Sequence, residues 1–355
     1  MYSKRLFNKL KLSFSPLSNY DYSLLTSQTS LTDILAESHI YMIVQRPCLT
    51  FEELYIDPTI EEDPILRFKI CKKGSAEFLE CSFPYRRGMF KELFKEKMGM
   101  LFTPDYEFLH HKFSDPPYYH IANFLMFADE NGYGSWFSPE KFLFERWNDL
   151  YESEVKGDVP AFLKYKVHYI GKATEEHVIK RLTGHEHLQD ILSVEFPLHY
   201  GSLPTDEIAI LFYEFSDNIH LAMFGADDEM GDVLIQQMID GNLPMVPKKR
   251  IYLDAEKALI NALKPRHNKL FYKSYPQSKD GLKQDALDAY TYTFFDPITL
   301  VYNEGEITGS EHFIEADMLL VKKGEPLAIL KYEREHTQAG ADEKKRTAKR
   351  AKPKK

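Results

Sequence analysis

Residues 164–192 read KYKVHYIGKATEEHVIKRLTGHEHLQDIL, and the reading of this stretch decides the fold. It opens in alternation, with Tyr165, Val167 and Tyr169 on one side and Lys164, Lys166 and His168 on the other. A period of two in β-branched and aromatic residues predicts a strand over 164–170. Gly171 breaks the strand. Thr174 is a candidate cap for a following helix, with Glu175 and Glu176 in a first turn that favours acids. Val178 and Leu182, four apart, supply the buried line of that helix, and Lys180 and Arg181 close it. The segment is thus a strand, a tight turn and a basic helix, followed by His185 and His187.

Working outward, composition bounds the class. A chain of 355 residues has room for two or three domains. Hydrophobic residues at 43% and charged residues at 28% are ordinary for a soluble protein, while 25 Phe and 22 Tyr predict a ring-rich core. No run of eighteen apolar residues exists, so no membrane span is expected. Cys48, Cys71 and Cys81 form no CxxC pair, which argues against a disulfide framework or a cysteine zinc site and favours a reducing cytoplasm. The net charge is −9, and it is uneven. Residues 333–355 hold nine Lys/Arg against four Asp/Glu, so the body before them carries −14. An acidic body with a basic tail excludes a bulk nucleic-acid coat, and any phosphate site must be local.

The expected organisation is α+β. Residues 1–36 are polar and serine-rich; an edge strand or short surface helix is the plain reading of their first twenty. Residues 37–157 form a mixed α/β domain of unknown role, with strands at His39–Val44, Ile65–Cys71 and Ala76–Phe83 and helices at Met89–Met98 and Pro139–Tyr151. His120–Phe127 is apolar and fits either element. A boundary falls at Gly157–Pro160. Residues 161–275 form a small mixed sheet flanked by helices, with a central strand at Ile208–Phe215, helices at Met230–Ile239 and Asp254–Leu263, and an insertion. Residues 276–332 form an appended antiparallel meander, and 333–355 a basic disordered tail.

Candidate chemistry lies in the third segment. Arg181 has the residue type that grips a phosphate bidentately without losing its charge. On the helix from Ala255, positions 255, 258, 259, 262 and 263 make the buried stripe, with Glu256 beside it and Lys257, Asn261 and Lys264 facing water. One such carboxylate suits Mg²⁺, which completes its shell with water and substrate phosphate. The i, i+2 spacing of His185 and His187 does not suit a helical metal pair; His185 is the better active-site candidate.

These residues resemble the GIY-YIG nuclease family. Tyr169-Ile170-Gly171 with Arg181 one helix later is similar to the second half of that domain. Asp254-Ala255-Glu256-Lys257-Ala258-Leu259-Ile260, then Pro265 and Asn268, is similar to its glutamate helix and following asparagine. The two matches frame Phe162–Tyr272, about a third of the chain. The resemblance implies a metal-dependent endonuclease that takes one Mg²⁺ or Mn²⁺ on Glu256. Tyr169, Arg181, Glu256 and His185 would be catalytic; Gly171, Lys172 and Asn268 would bind substrate. It implies a nucleic-acid partner, DNA favoured over RNA, and no membrane. Tyr169, Arg181 and Glu256 should line one concave surface. No Gly-Ile-Tyr precedes Tyr169, and Tyr165 stands about 13 Å along the strand, too far to share a water. A catalytically inactive module that binds nucleic acid or protein is the alternative.

Overall fold

Two strands with almost no polar face organise the larger body. In IYMIVQRP the first five residues are all buried, and in DEIAILFYEF six in succession are. A strand buried on both faces must be interior to its sheet. This computed structural model describes residues 3–19, 21–22, 29–57, 59, 64–85, 98–108, 110, 115–128, 134–174, 177–182, 188, 190–191, 205–223, 230–240 and 245–333. The expected helix at Met89–Met98 (of which only Met98 is described), His185 and the basic tail beyond residue 333 lie outside them.

The strands are β1 (Ser3–Leu12), β2 (Leu17–Ser18), β3 (Ile40–Pro47), β4 (Leu49–Asp57), β5 (Ile65–Lys72) and β6 (Phe78–Phe83). Then come β7 (Met98–Pro104), β8 (Ile121–Ala128), β9 (Gly134–Phe137), β10 (Glu154–Lys156), β11 (Lys164–Lys172) and β12 (Asp206–Phe215). The last are β13 (Ile219–Met223), β14 (Ala289–Phe294), β15 (Thr299–Tyr302), β16 (Gly305–Thr308), β17 (Met318–Lys322) and β18 (Ala328–Leu330). The helices are α1 (Thr29–Ile34), α2 (Pro139–Trp147), α3 (Val159–Phe162), α4 (Val178–Leu182), α5 (Met230–Ile239) and α6 (Lys248–Leu263). The fold is mixed α+β and mostly sheet. Among the described residues no helix is long and apolar enough to cross a membrane.

The chain divides into two units. The first comprises Met1–Cys48, Glu140–Asn148 and Leu163–Lys331. Its sheet runs β16-β15-β11-β3-β12-β1-β14-β17-β18, with β13 on β1 and β2 on β12. The pairings β1–β14 and β11–β15 are parallel and the others antiparallel. This differs from the sequence expectation in three ways. The sheet is large, because β1 and β3 belong to it and not to a separate N-terminal region. The segment after residue 276 is no separate meander, because β14 and β15 join opposite parts of that sheet. And β1 is interior: Leu6, Asn8, Leu10 and Leu12 are buried on one face, a pattern hidden by Lys9 and Lys11 between them and by Lys4 and Arg5 before them.

The second unit includes Leu49–Pro139 and Asp149–Phe162. Its strands run β10-β6-β5-β4-β8-β7, with β9 on β8. Ring contacts fill its core, among them Phe51–Phe124 at 5.0 Å, Phe124–Phe137 at 5.1 Å and Phe83–Tyr151 at 4.8 Å between centroids. Tyr151 is therefore a core residue of this unit.

Candidate active-site cleft

The site of the first unit begins with a fault in the β-ladder. Between Val167 and Tyr169 the register of β11 on β3 slips by one: Val167 stands opposite Val44 and Tyr169 opposite Ile43, with His168 as the inserted residue, its Nε2 bonded to Gln45 Oε1 at 3.0 Å. Beyond the slip Tyr169 pairs with Ile43 and Gly171 with Tyr41. Directly opposed residues share a face, so Tyr41, Tyr169 and Gly171 lie on one face while Val167, opposite Val44, lies on the other. The expected grouping of Tyr165, Val167 and Tyr169 is thereby corrected: a bulge inserts one residue and turns every later side chain over, which a period-of-two reading cannot see.

Tyr41 is the residue that sequence reasoning missed. It is fully buried, and its ring centroid lies 6.0 Å from that of Tyr169. Hydrogen bonding links the two phenols, Tyr41 as donor, and the Arg181 guanidinium bonds the Tyr41 oxygen. Burial pushes both phenol pKa values up; Arg181 works against the rise at each, and Glu256 adds to it at Tyr169. Both tyrosines hold their protons at neutral pH. Tyr41 lies 130 positions before Gly171, its partner across the ladder, so no local pattern near Tyr169 points to it. The His39 imidazole is packed against the Tyr252 ring at 4.1 Å and bonded through Nδ1 to the Ala173 carbonyl at 2.9 Å.

Gly171 serves Tyr41 and does not stand open to substrate. A Cβ there would lie 2.4 Å from Tyr41 Cζ and 2.8 Å from Tyr169 Cε1. The expected substrate-binding role of Gly171 is replaced by a steric one: its missing side chain is the space the Tyr41 ring fills.

Arg181 is presented by α4, whose Val178, Ile179 and Leu182 are buried. His177, not Thr174, caps this helix: the Ile179 N–H donates to Nδ1 at 3.2 Å, and Nε2 bonds the Thr32 carbonyl at 2.8 Å. Tyr22 anchors the same turn through its hydroxyl on the Ile179 carbonyl. With one imidazole nitrogen accepting and the other donating, the tautomer is fixed and the helix start is pinned in place.

Glu256 comes from the opposite face. Contacts from Tyr252 to Phe215 and from Asp254 to Tyr292 seat α6 on the face of the sheet away from Tyr41. The helix begins at Lys248 after Pro247, so Glu256 sits more than two turns inside it. The expected start at Asp254 came too late because Lys248, Lys249 and Arg250 oppose the dipole of a helix N-terminus. A first-turn preference therefore does not explain this acid. The expected buried stripe of 255, 258, 259, 262 and 263 is present, but Lys257, expected in water, is buried beside Asp280 and bonds Ser278 Oγ at 2.6 Å.

The two faces meet at the edge of β11. Strand β15 covers that edge only from Lys164 to Lys166. At Ile170 the Asn268 amide takes the place of a neighbouring strand, accepting from the Ile170 N–H at 3.0 Å and donating to its carbonyl at 2.8 Å. Asn268 is thus a buried strap between the turn after α6 and β11, not a substrate contact. Around this edge lies a cleft of about 440 Å³ lined by Tyr41, Tyr169, Lys172, Ala173, Thr174, Arg181, Leu253 and Glu256. The structure brings Tyr169, Lys172, Arg181 and Glu256 together and adds Tyr41. Lys172 Nζ lies 2.5 Å from Glu256 Oε2. Tyr272 approaches the same carboxylate, which with burial raises its phenol pKa.

Behind Glu256 a second carboxylate fixes the helix. Asp254, fully buried, accepts from Tyr275 Oη at 2.6 Å, Tyr292 Oη at 2.7 Å and the Leu282 N–H at 2.8 Å. It ties α6 to β14 and to the loop that carries Tyr272. Among the described residues no cluster of three or more His, Cys, Asp or Glu side chains is placed to hold a metal. The carboxylate that lines the cleft, Glu256, is engaged by Lys172. No protein-family model, curated protein or solved structure matches the chain.

Proposed function

We propose that the first unit is a GIY-YIG-like endonuclease that hydrolyses phosphodiester bonds in nucleic acid. The observation that carries the reading is the meeting of Tyr41, Tyr169, Arg181 and Glu256 at one cleft from four separate elements. In the resembled family an earlier strand carries the first tyrosine. His39-Ile40-Tyr41 stands in that position, antiparallel to the strand of Tyr169-Ile170-Gly171 and directly opposite its glycine. It departs from the family pattern in having histidine first. Residues 48–163, which include all of Leu49–Pro139, separate the two strands in sequence, which hides the match.

Each side chain has a role that its chemistry allows. Arg181, always charged, neutralises a phosphate oxygen as charge builds on it. The phenols of Tyr41 and Tyr169, protonated at neutral pH, orient a water by hydrogen bonding and are not pre-formed bases. Glu256 would hold one Mg²⁺ or Mn²⁺, whose chemistry when bound is to polarise the phosphate and stabilise the leaving oxygen. Lys172 offers a second cation to the same phosphate. The test is incubation with supercoiled, linear and single-stranded DNA and with RNA, in Mg²⁺, Mn²⁺ or EDTA. Metal-dependent cutting of one of these is the expected result.

The ammonium of Lys172 on Glu256 favours a second reading, a binding module that no longer cuts, because it occupies the carboxylate a metal needs. Binding without cutting of any substrate under all metal conditions would select it.

A further inference from the structure

We infer that a second pocket on the same edge of β11 holds a backbone phosphate about three nucleotides from the one in the cleft, an inference that rests on the nuclease reading. The pocket, about 120 Å³, opens between Lys166, His168 and the turn Leu263–Arg266, with Asn303 on its rim. Lys166, Lys264 and Arg266 are among the residues that line it. In a body of strongly negative charge this local concentration of cations is the kind of site that an anion must find. Lys264 pairs with Glu304 at 2.8 Å, but both are more than half exposed, so the pair is weak and a phosphate exchanges with it readily.

The pocket and the cleft are joined by two independent rulers. Along β11 the pocket ends at His168 and the cleft begins at Tyr169, their centres lying about three residues apart, roughly 10 Å. Along α6 and its C-terminal cap, Glu256 lines the cleft and Lys264 the pocket, eight residues or about 12 Å apart. At about 3.4 Å of rise per nucleotide on one strand, that distance is about three phosphates. Between them Asn268 closes the edge of β11 at Ile170, so the surface joining the openings is continuous protein. The substrate is therefore a polynucleotide strand laid along the edge of β11. Mononucleotides and dinucleotides, too short to reach the pocket, bind only through the cleft.

The test is fluorescence anisotropy on the full chain with labelled single-stranded DNA, duplex DNA and RNA across a salt series. The variant is Lys166→Ala with Arg266→Ala; the control, matched in charge, is Lys322→Ala with Lys323→Ala at the far end of the sheet. Both pairs are at exposed positions, and circular dichroism with thermal melting checks that each protein is folded. The pocket variant is expected to lose affinity several-fold, with a salt slope shallower by about 0.7 on single strands and about 0.9 on duplex, the contribution of the one phosphate contact it loses. The control keeps the wild-type slope. A pocket variant that behaves like the control overturns the inference and leaves the nuclease reading standing. A wild type that binds neither DNA nor RNA at low salt overturns both.

Discussion

Gly171→Ala isolates the packing of the two tyrosines from any assumption about chemistry. Gly171 lies in regular strand, so an alanine there is strained by space and not by backbone. The new Cβ would be 2.4 Å from Tyr41 Cζ, 2.5 Å from Tyr41 Oη and 2.8 Å from Tyr169 Cε1. Carbon atoms in contact settle at about 3.5–4.0 Å, so the Tyr41 ring must withdraw by about 1 Å. It has nowhere easy to go, being fully buried and bonded to Tyr169 and Arg181. Overpacking of this kind costs about 1–3 kcal/mol. Urea unfolding should report that loss, and Gly171→Ala combined with Tyr41→Leu should be more stable than the sum of the single effects by a similar amount, because the second change removes the ring the methyl strikes. On the proposed nuclease reading, Gly171→Ala should also slow cutting by about a hundredfold, the usual consequence of a 1 Å misplacement at a reacting centre. Wild-type stability in Gly171→Ala, or strict additivity in the pair, would refute this account of the glycine.

Asn268→Ala removes both bonds to Ile170 and leaves a buried N–H and carbonyl unpaired; a loss of about 2 kcal/mol or more is expected in urea unfolding, whereas a loss below about 0.5 kcal/mol would mean the amide is not a strap. Asp296, wholly buried and accepting from the Leu12 N–H at 2.6 Å, has its pKa pushed up to about 7 by burial. Its folded value lies above the unfolded one, so its contribution is complete below about pH 4 and is lost as pH rises toward 7. Wild-type stability should therefore fall relative to Asp296→Asn between pH 4.5 and 8, by on the order of 4 kcal/mol at most. Trp147, whose Nε1–H donates to Asp296 at 3.3 Å, supplies a local fluorescence signal. Parallel pH profiles for the two proteins would contradict the assignment.

Much of the fold and of the site can be read from the sequence, and the failures have physical causes. Strand β15 and helix α5 stand at their expected bounds, and β11 and β12 each extend two residues beyond theirs. Tyr169, Arg181 and Glu256, expected on one concave surface, line one cleft, and Lys172 joins them there. What the sequence hides is long-range. Tyr41 pairs with Gly171 across 130 positions, and no local pattern announces that β1 joins β14. The bulge at His168 reverses the side of Tyr169 by a single inserted residue. The roles of Gly171 and Asn268 depend on what fills the space around them: a tyrosine ring in one case, an unpaired strand edge in the other. Helix α6 starts early because packing of Ile251, Tyr252 and Asp254 outweighs an unfavourable basic first turn.

The measurement that tests the central claim most directly is the single-turnover cleavage rate of wild type and Glu256→Gln in Mg²⁺, on whichever nucleic acid the wild type cuts. The amide keeps the volume and the helix but removes the one carboxylate lining the cleft among the described residues. The account expects the rate to fall by about a hundredfold or more, since a neutral amide binds Mg²⁺ poorly. It expects the fold to persist and nucleic-acid binding without metal to be kept. Metal-dependent cutting by Glu256→Gln at the wild-type rate would contradict the assigned site, and a folded wild type that cuts nothing would contradict the assigned activity.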